Sequence, residues 1–407
     1  MLRITLLVLF ILCPLSLVRA QNVTVVSAAS FAQGYPVAPN SIASAFGVNL
    51  APGTEAATMT PLPTVLQGAS VTIIDSAGQN HTCPLFFVSP GQINFLVPDG
   101  VATGTASIRV GPAASTLTAE GAAQSLQTGQ FEVAPYSTGL FTVSDQEWMA
   151  GFILRVDADG TQTYLPTVEL DANNQVVPVP LEMSPNGDES AQFYVIAYGT
   201  GNRAAAEGDV VRSFIGLSPD VSEGDEIPTL FNGAQGGFVG LDQTNAGPIP
   251  RRLENFGGGD RPFSVAVNDD LSNAAWIQVA PNPNAPTISN PTFELVSGSP
   301  PRMVYELDFT DADGDFGPFE VVWFWEDETR YCLSGLQLPE GPQTGQTSGR
   351  TQFSALKSAG TQLGTILSVS ISVADAAGHI SNLLEYAPDP PGSLGGFAEP
   401  CQLVIGK

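Results

Sequence analysis

The feature that most constrains this chain is its punctuation. Short runs of β-type residues recur from one end to the other: Ser70–Ile74 (SVTII), Ile93–Val97 (INFLV), Ala106–Val110 (ASIRV), Phe193–Ala197 (FYVIA), Phe263–Val267 (FSVAV) and Leu367–Val373 (LSVSISV). Gly, Pro, Asn and Asp separate them, and several alternate apolar with polar residues as half-buried strands do. No long window carries helical periodicity with a cap at each end. This spacing predicts an all-β fold of sandwiches or barrels. Composition removes the alternatives. The 42 glycines and 33 prolines have no period, so collagen is excluded, and 13% charged residues is far too few for a coiled coil. Hydrophobic residues, at 43%, supply a sizeable core.

The punctuated runs also repeat at domain scale. Phe46-Gly47 precedes Gln92-Ile93-Asn94, and Tyr198-Gly199 precedes Gln243-Thr244-Asn245 at nearly the same separation. A proline closes each copy, at Pro98 and Pro250. A repeat this long gives each copy its own core, which predicts two similar modules over 21–135 and 136–282. The segment Ala280–Pro286 (APNPNAP) is a proline-rich linker that cannot continue a central strand. Beyond it the repeat is lost, and a third module is expected over 283–407.

The stretches VVSAASF (25–31), VAPNSIASAFGVNLA (37–51), PLPTVLQGASVTI (61–73), PLFFVSPGQINFLVP (84–98), YGTG (198–201) and GGFVGLDQTNAGPIPRRL (236–253) come in a characteristic order. On them, residues 25–135 and 185–253 resemble the repeated Ig-like domain of large secreted acidobacterial (Solibacter-type) proteins, within the wider IPT/TIG-like fold. The third module instead resembles Ig-like domains of bacterial surface proteins, through FTDADGD (309–315) and VADAAGHIS (373–381). The resemblance implies three tandem Ig-like β-sandwich modules and export. It implies no activity.

Residues 1–20 read as a secretory signal peptide: Arg3, an apolar run from Ile4 to Leu12, then Val18 and Ala20 before a cut at Gln21. The apolar run falls short of a bilayer span. The mature chain is therefore expected to be secreted or at the cell surface, without membrane insertion. Three of the 4 cysteines lie beyond the leader. Cys332 and Cys401 fall in one module, and a disulfide between them suits an oxidising compartment. Cys83 is then a small buried hydrophobe. The formal charge of −26, from 14 basic against 40 acidic residues, disfavours nucleic acid and anionic lipid as partners.

Catalytic patterns are missing. The 2 histidines, His81 and His379, lie in different modules, and no nucleophile elbow, His-Glu-x-x-His or phosphate loop is present. His81 and Cys83 share one strand face by spacing. The simpler reading is a loop histidine near a buried thiol. Gln92 with Asn94, and Gln243 with Asn245, sit at i, i+2 on a strand. They fit either a ligand-binding ladder or, as the simpler reading, amides that satisfy loop backbone at a sandwich corner.

One cluster carries metal chemistry. Asp308, Asp311, Asp313 and Asp315 fall within eight residues, with Gly314 permitting a sharp turn. Close carboxylates repel unless a cation neutralises them, and calcium takes 6–8 oxygen ligands in flexible geometry. The glycine is misplaced for an EF-hand. Asp375, in a second loop, is a further expected ligand. The bland alternative is a solvated acidic turn. The expectation from sequence is a non-catalytic protein of extracellular binding, adhesion or surface architecture, with an extracellular protein or polysaccharide as partner and calcium as cofactor. The rivals are a carbohydrate-binding accessory protein, using Trp148, Tyr164 and Trp276, and a hydrolase with its site at a module junction.

Overall fold

Turn chemistry dictates the architecture of the computed structural model. Residues 23–112, 126–145, 147–185, 189–203, 208–216, 225–255, 258–296, 302–316, 319–326, 329–337, 345–356, 368–377, 379–382 and 384–386 are described. The expected leader (1–20) and Cys401 lie outside them, and of Cys332 only the backbone is described, so the expected disulfide lies outside the described residues. Among the described residues, apart from a four-residue helical turn at Arg252–Asn255, the regular elements are strands. The chain divides into two compact units, at Ser137/Thr138.

The first unit is a two-sheet sandwich. One sheet runs in the order Thr24–Ser27, Ile42–Phe46, Gln92–Leu96, Leu85–Val88, Glu55–Ala56. The other runs Asn80–Thr82, Ala69–Ile74, Gly104–Pro112, Gln127–Val133. The period of two decides which residues meet. Ile93 and Phe95 point inward from the first sheet, and Val71, Ile73 and Ile108 from the second; all are fully buried in one core. The strands Gly104–Pro112 and Gln127–Val133 pair Ile108 with Gly129. A Cβ on Gly129 would sit 1.9 Å from the Val23 carbonyl oxygen, so only glycine fits there.

In the second unit, residues 139–279 form two larger sheets and a two-stranded one, Val168–Leu170 with Val176–Pro178. One of the larger sheets runs Gln162–Pro166, Gly151–Val156, Gln192–Thr200, Asp242–Ala246, Thr229–Ala234. The other is built on Ala275–Val279, Gly259–Val267 and Val211–Ile215. Phe193, Val195 and Ala197 from the first and Phe263, Val265 and Ile277 from the second fill the core between them. The sequence repeat is also a repeat of register. Phe46 pairs with Gln92 and Ser44 with Asn94 in the first unit; Tyr198 pairs with Gln243 and Ile196 with Asn245 in the second.

After the linker, two further sheets follow. Thr287–Val296, Arg302–Thr310 and Ser348–Leu356 make one; Thr329–Gln337, Phe319–Glu326, Ser368–Ala374 and Leu384–Tyr386 make the other. Phe309 at the end of one strand stacks on the buried Phe316 with ring centroids 3.9 Å apart. That stack pins both ends of the loop 310–316, which carries the acidic cluster.

Candidate metal centre

Two loops build the site. The first leaves the strand Arg302–Thr310 and is tied down by its backbone: Asp311 N–H donates to the Thr347 carbonyl at 2.9 Å, and Gly345 N–H to the Gly314 carbonyl at 2.5 Å. Gly314 has φ +75°, where a Cβ is disfavoured, so the sharp turn read from sequence does require it. The second loop, Asp375 to His379, closes on itself. Asp375 N–H donates to the His379 carbonyl at 2.9 Å, and His379 returns two donors to the Asp375 carboxylate, its N–H and its Nδ1, each at 2.7 Å. The loops are then stitched together. Ala376 N–H donates to the Asp315 carbonyl at 3.0 Å and Ala377 N–H to Asp315 Oδ2 at 3.1 Å.

This brings one carboxylate oxygen from each of Asp311, Asp313, Asp315 and Asp375 to within 4.8 Å of one another. Asp311 is 2% exposed, yet neither of its oxygens receives a hydrogen bond, and Asp315 Oδ1 is likewise buried without a donor. A buried carboxylate lacking donors is costly, since such groups are normally paired. The ionisation equilibria register that cost. Burial, then the carboxylates of Asp313, Asp315 and Asp375, push Asp311 up to about 7. Burial and then Asp313 and Asp375 push Asp315 in the same direction. Burial depresses His379, but its bond to Asp375 together with the negative charges of Asp375, Glu189 and Asp313 outweighs this and raises it. His379 thus fixes Asp375, as a histidine beside a ligating carboxylate does. Its Nε2 lies 3.6 Å from Glu189.

Four carboxylate oxygens within 4.8 Å of one another are close enough to share one cation, since ligands on opposite sides of calcium, at about 2.3–2.6 Å each, stand up to about 5 Å apart.

Asp308 does not join the site. It lies on the strand, directly opposite Arg350, and receives Arg350 Nη1 at 2.8 Å and Asn290 Nδ2 at 2.8 Å. The cation that neutralises it is a guanidinium on the neighbouring strand. Sequence reading also missed His379, although its spacing of four from Asp375 was a usable signal.

The other motifs resolve into structure. His81 Nε2 contacts Asp75 Oδ2 at 2.8 Å, whereas Cys83 is fully buried with its thiol pushed up to about 12 by burial, so no thiol–imidazole pair forms. Trp148 is 5% exposed and so cannot belong to an exposed aromatic row; Trp276, paired with it, is half-buried. The two amide ladders do not serve corner backbone. Gln92 Nε2 donates to Asn94 Oδ1, and Gln243 Nε2 to Asn245 Oδ1, each at 2.8 Å on a sheet face. Among the described residues no helix is long and apolar enough to cross a membrane.

No protein-family model matches the chain, and no curated protein matches it. Solved structures give distant superpositions. A Salmonella alpha-2-macroglobulin mutant shares 9% identity at a TM-score of 0.21, covering 90% of this chain; the chain spans only 23% of that protein's length. A tetra-tandem repeat from the extending region of a large adhesion protein shares 11% at 0.18, covering 90% of this chain and 99% of that one. A Ca2+-stabilized adhesin of an Antarctic bacterium that binds ice shares 12% at 0.15, covering 90% and 97%. Superpositions at this level establish neither a shared fold nor a shared activity.

Proposed function

We propose that this chain is a non-catalytic, exported β-sandwich protein of extracellular binding or surface architecture, and that a calcium ion clamps its C-terminal sandwich. The observation that carries the calcium reading is Asp311: a buried carboxylate with two unpartnered oxygens, aimed at three other carboxylates. Calcium would take oxygens from Asp311, Asp313, Asp315 and Asp375, with His379 holding Asp375 in place. It would join the loop 310–316 to the loop 375–379, reinforcing the bonds from Ala376 N–H to the Asp315 carbonyl and from Ala377 N–H to the Asp315 carboxylate. The scaffold reading is supported by the all-β architecture and by the resemblance of residues 25–135 and 185–253 to secreted Ig-like repeats. Thermal unfolding of the full chain in chelator and in calcium tests the clamp. Calcium should raise the melting of the C-terminal sandwich, and Asp313→Ala should erase that rise. An unchanged transition up to millimolar calcium leaves the loop a hydrated acidic turn.

A further inference from the structure

The outer face of the sheet centred on Gln192–Thr200 combines aromatic rings with side-chain amides. Its inward positions, Phe193, Val195 and Ala197, are in the core, so residues 194, 196 and 198 point outward. The pairing register carries that face across five strands. Tyr164 stands opposite Leu154, Phe152 opposite Ile196, Tyr198 opposite Gln243, and Asn245 opposite both Ile196 and Phe231. The rings form a row. Phe152 meets Tyr164 on one side and Tyr198 on the other, edge to face, with centroids 6.4 Å apart in each case. The amide ladder Gln243–Asn245 follows, and then Phe231. Tyr164 is 61% exposed, Phe231 44% and Phe152 38%. An exposed apolar patch of this kind on an ordered sheet marks a binding surface.

Charge limits what binds. The outward positions of these five strands carry no Asp, Glu, Lys or Arg, although the whole chain has a net charge of −26. An anionic polymer would be repelled by the surrounding field, and a basic partner finds no carboxylate here. The face instead alternates rings with amides. The bond within the ladder uses one donor of Gln243 and one acceptor lone pair of Asn245, so each amide keeps further donor and acceptor capacity. Burying those amides under a dry protein surface would leave them unsatisfied. A sugar chain matches both halves of the pattern: its C–H faces lie on rings, and its hydroxyls both donate to and accept from amides. Tyrosine suits this use, being rigid, apolar in body and polar at its tip.

The first unit shows that the ladder is a built feature. Gln92 and Asn94 make the same 2.8 Å bond, with Phe46 opposite Gln92 and Phe87 opposite Asn94. There Ser44 also donates to Asn94 at 3.0 Å and the paired rings are half-buried, so the open version is the one in the second unit.

We infer that the face formed by Tyr164, Phe152, Tyr198, Gln243, Asn245 and Phe231 binds a neutral polysaccharide. The site is separate from the acidic cluster and does not depend on calcium. Affinity electrophoresis of the full chain tests it, in native gels containing hydroxyethylcellulose, galactomannan, xylan or β-glucan, with alginate as the anionic control. Each gel is run in calcium and in chelator, which separates this test from the fate of the metal centre. At least one neutral polymer should retard the protein in both buffers, and alginate should not. Tyr164→Ala and Phe231→Ala should each weaken that retardation at least tenfold in dissociation constant. Both side chains are exposed, so an unchanged melting temperature will confirm that the variants fold. Absence of retardation by every neutral polymer overturns the inference, as does retardation that survives both substitutions. A dimer in sedimentation that Tyr164→Ala dissolves, with no retardation, would make the face a contact between copies of this chain.

Discussion

Replacing Asp311 by asparagine should move stability in opposite directions with and without cation. The side chain is 2% exposed, and neither oxygen has a donor. An unsatisfied buried polar group costs about 1–3 kcal/mol, more when charged. Asparagine keeps the volume, removes the charge and supplies an N–H₂ toward its acidic neighbours. In chelator at pH 8, Asp311→Asn should therefore be more stable than the parent by about 1–3 kcal/mol. For a sandwich of about 100 residues that is a rise of roughly 4 °C or more in Tm. Calcium at 100 times its dissociation constant adds about 2.7 kcal/mol to a form that binds it. The parent should gain this and the variant should not, so the order of melting inverts on adding calcium. The pH dependence supplies an independent arm. Asp311 is pushed from 3.8 up to about 7 in the folded state. The folded chain then holds that proton more tightly than the unfolded one. The associated stability is fully present below 3.8 and is lost as pH rises through about 7. In chelator the parent should lose stability relative to the variant between pH 5 and pH 8. Calorimetry of both proteins in both buffers measures all of this. A variant less stable than the parent in chelator at pH 8, with an intact calcium response, would refute the reasoning.

Three other outcomes follow from the first unit. Asp75 is held down to about 2, first by His81 and then by backbone N–H groups of Gln79, Ala102 and Ala77, against the opposing effect of burial. Its stabilisation is present above 3.8 and lost as pH falls toward 2, so Asp75→Asn should flatten the acid limb of unfolding followed by circular dichroism; an unaltered limb would remove Asp75 from that role. Gly129→Ala forces a Cβ to 1.9 Å from the Val23 carbonyl oxygen and should destabilise the unit by about 1–3 kcal/mol or more in urea unfolding, whereas a neutral result would contradict the strand packing. Cys83, with its thiol at about 12 and its side chain fully buried, should resist iodoacetamide at pH 8 and react only in denaturant, as mass spectrometry of the alkylated peptide will show.

The strands were legible because alternation and turn residues are local signals. Ile73 and Phe95 could be assigned to a core from their own neighbours in sequence. The site was legible only to the extent that it too is local. Asp311, Asp313 and Asp315 share one short loop, and Gly314 marks its turn. Asp308 misled because spacing does not reveal which residue stands across a ladder, and here that residue is Arg350. Tyr164 was singled out as an exposed ring, but Phe152 and Tyr198 were not, since their row exists only once three strands are in register. The repeated Gln–Asn spacing was visible, while its side-chain bond on an open sheet face was not.

The central claim, a single calcium held by the two acidic loops, is met most directly by calorimetric titration of calcium into chelator-stripped full chain. The titration must extend into the millimolar range, because weak extracellular sites bind at about 10⁻⁴–10⁻³ M. The account predicts one calcium per chain, lost in Asp313→Ala and in Asp311→Asn, and retained in a variant with Asp308→Asn, whose carboxylate belongs to Arg350. No saturable binding, or binding that survives the first two substitutions, would contradict it.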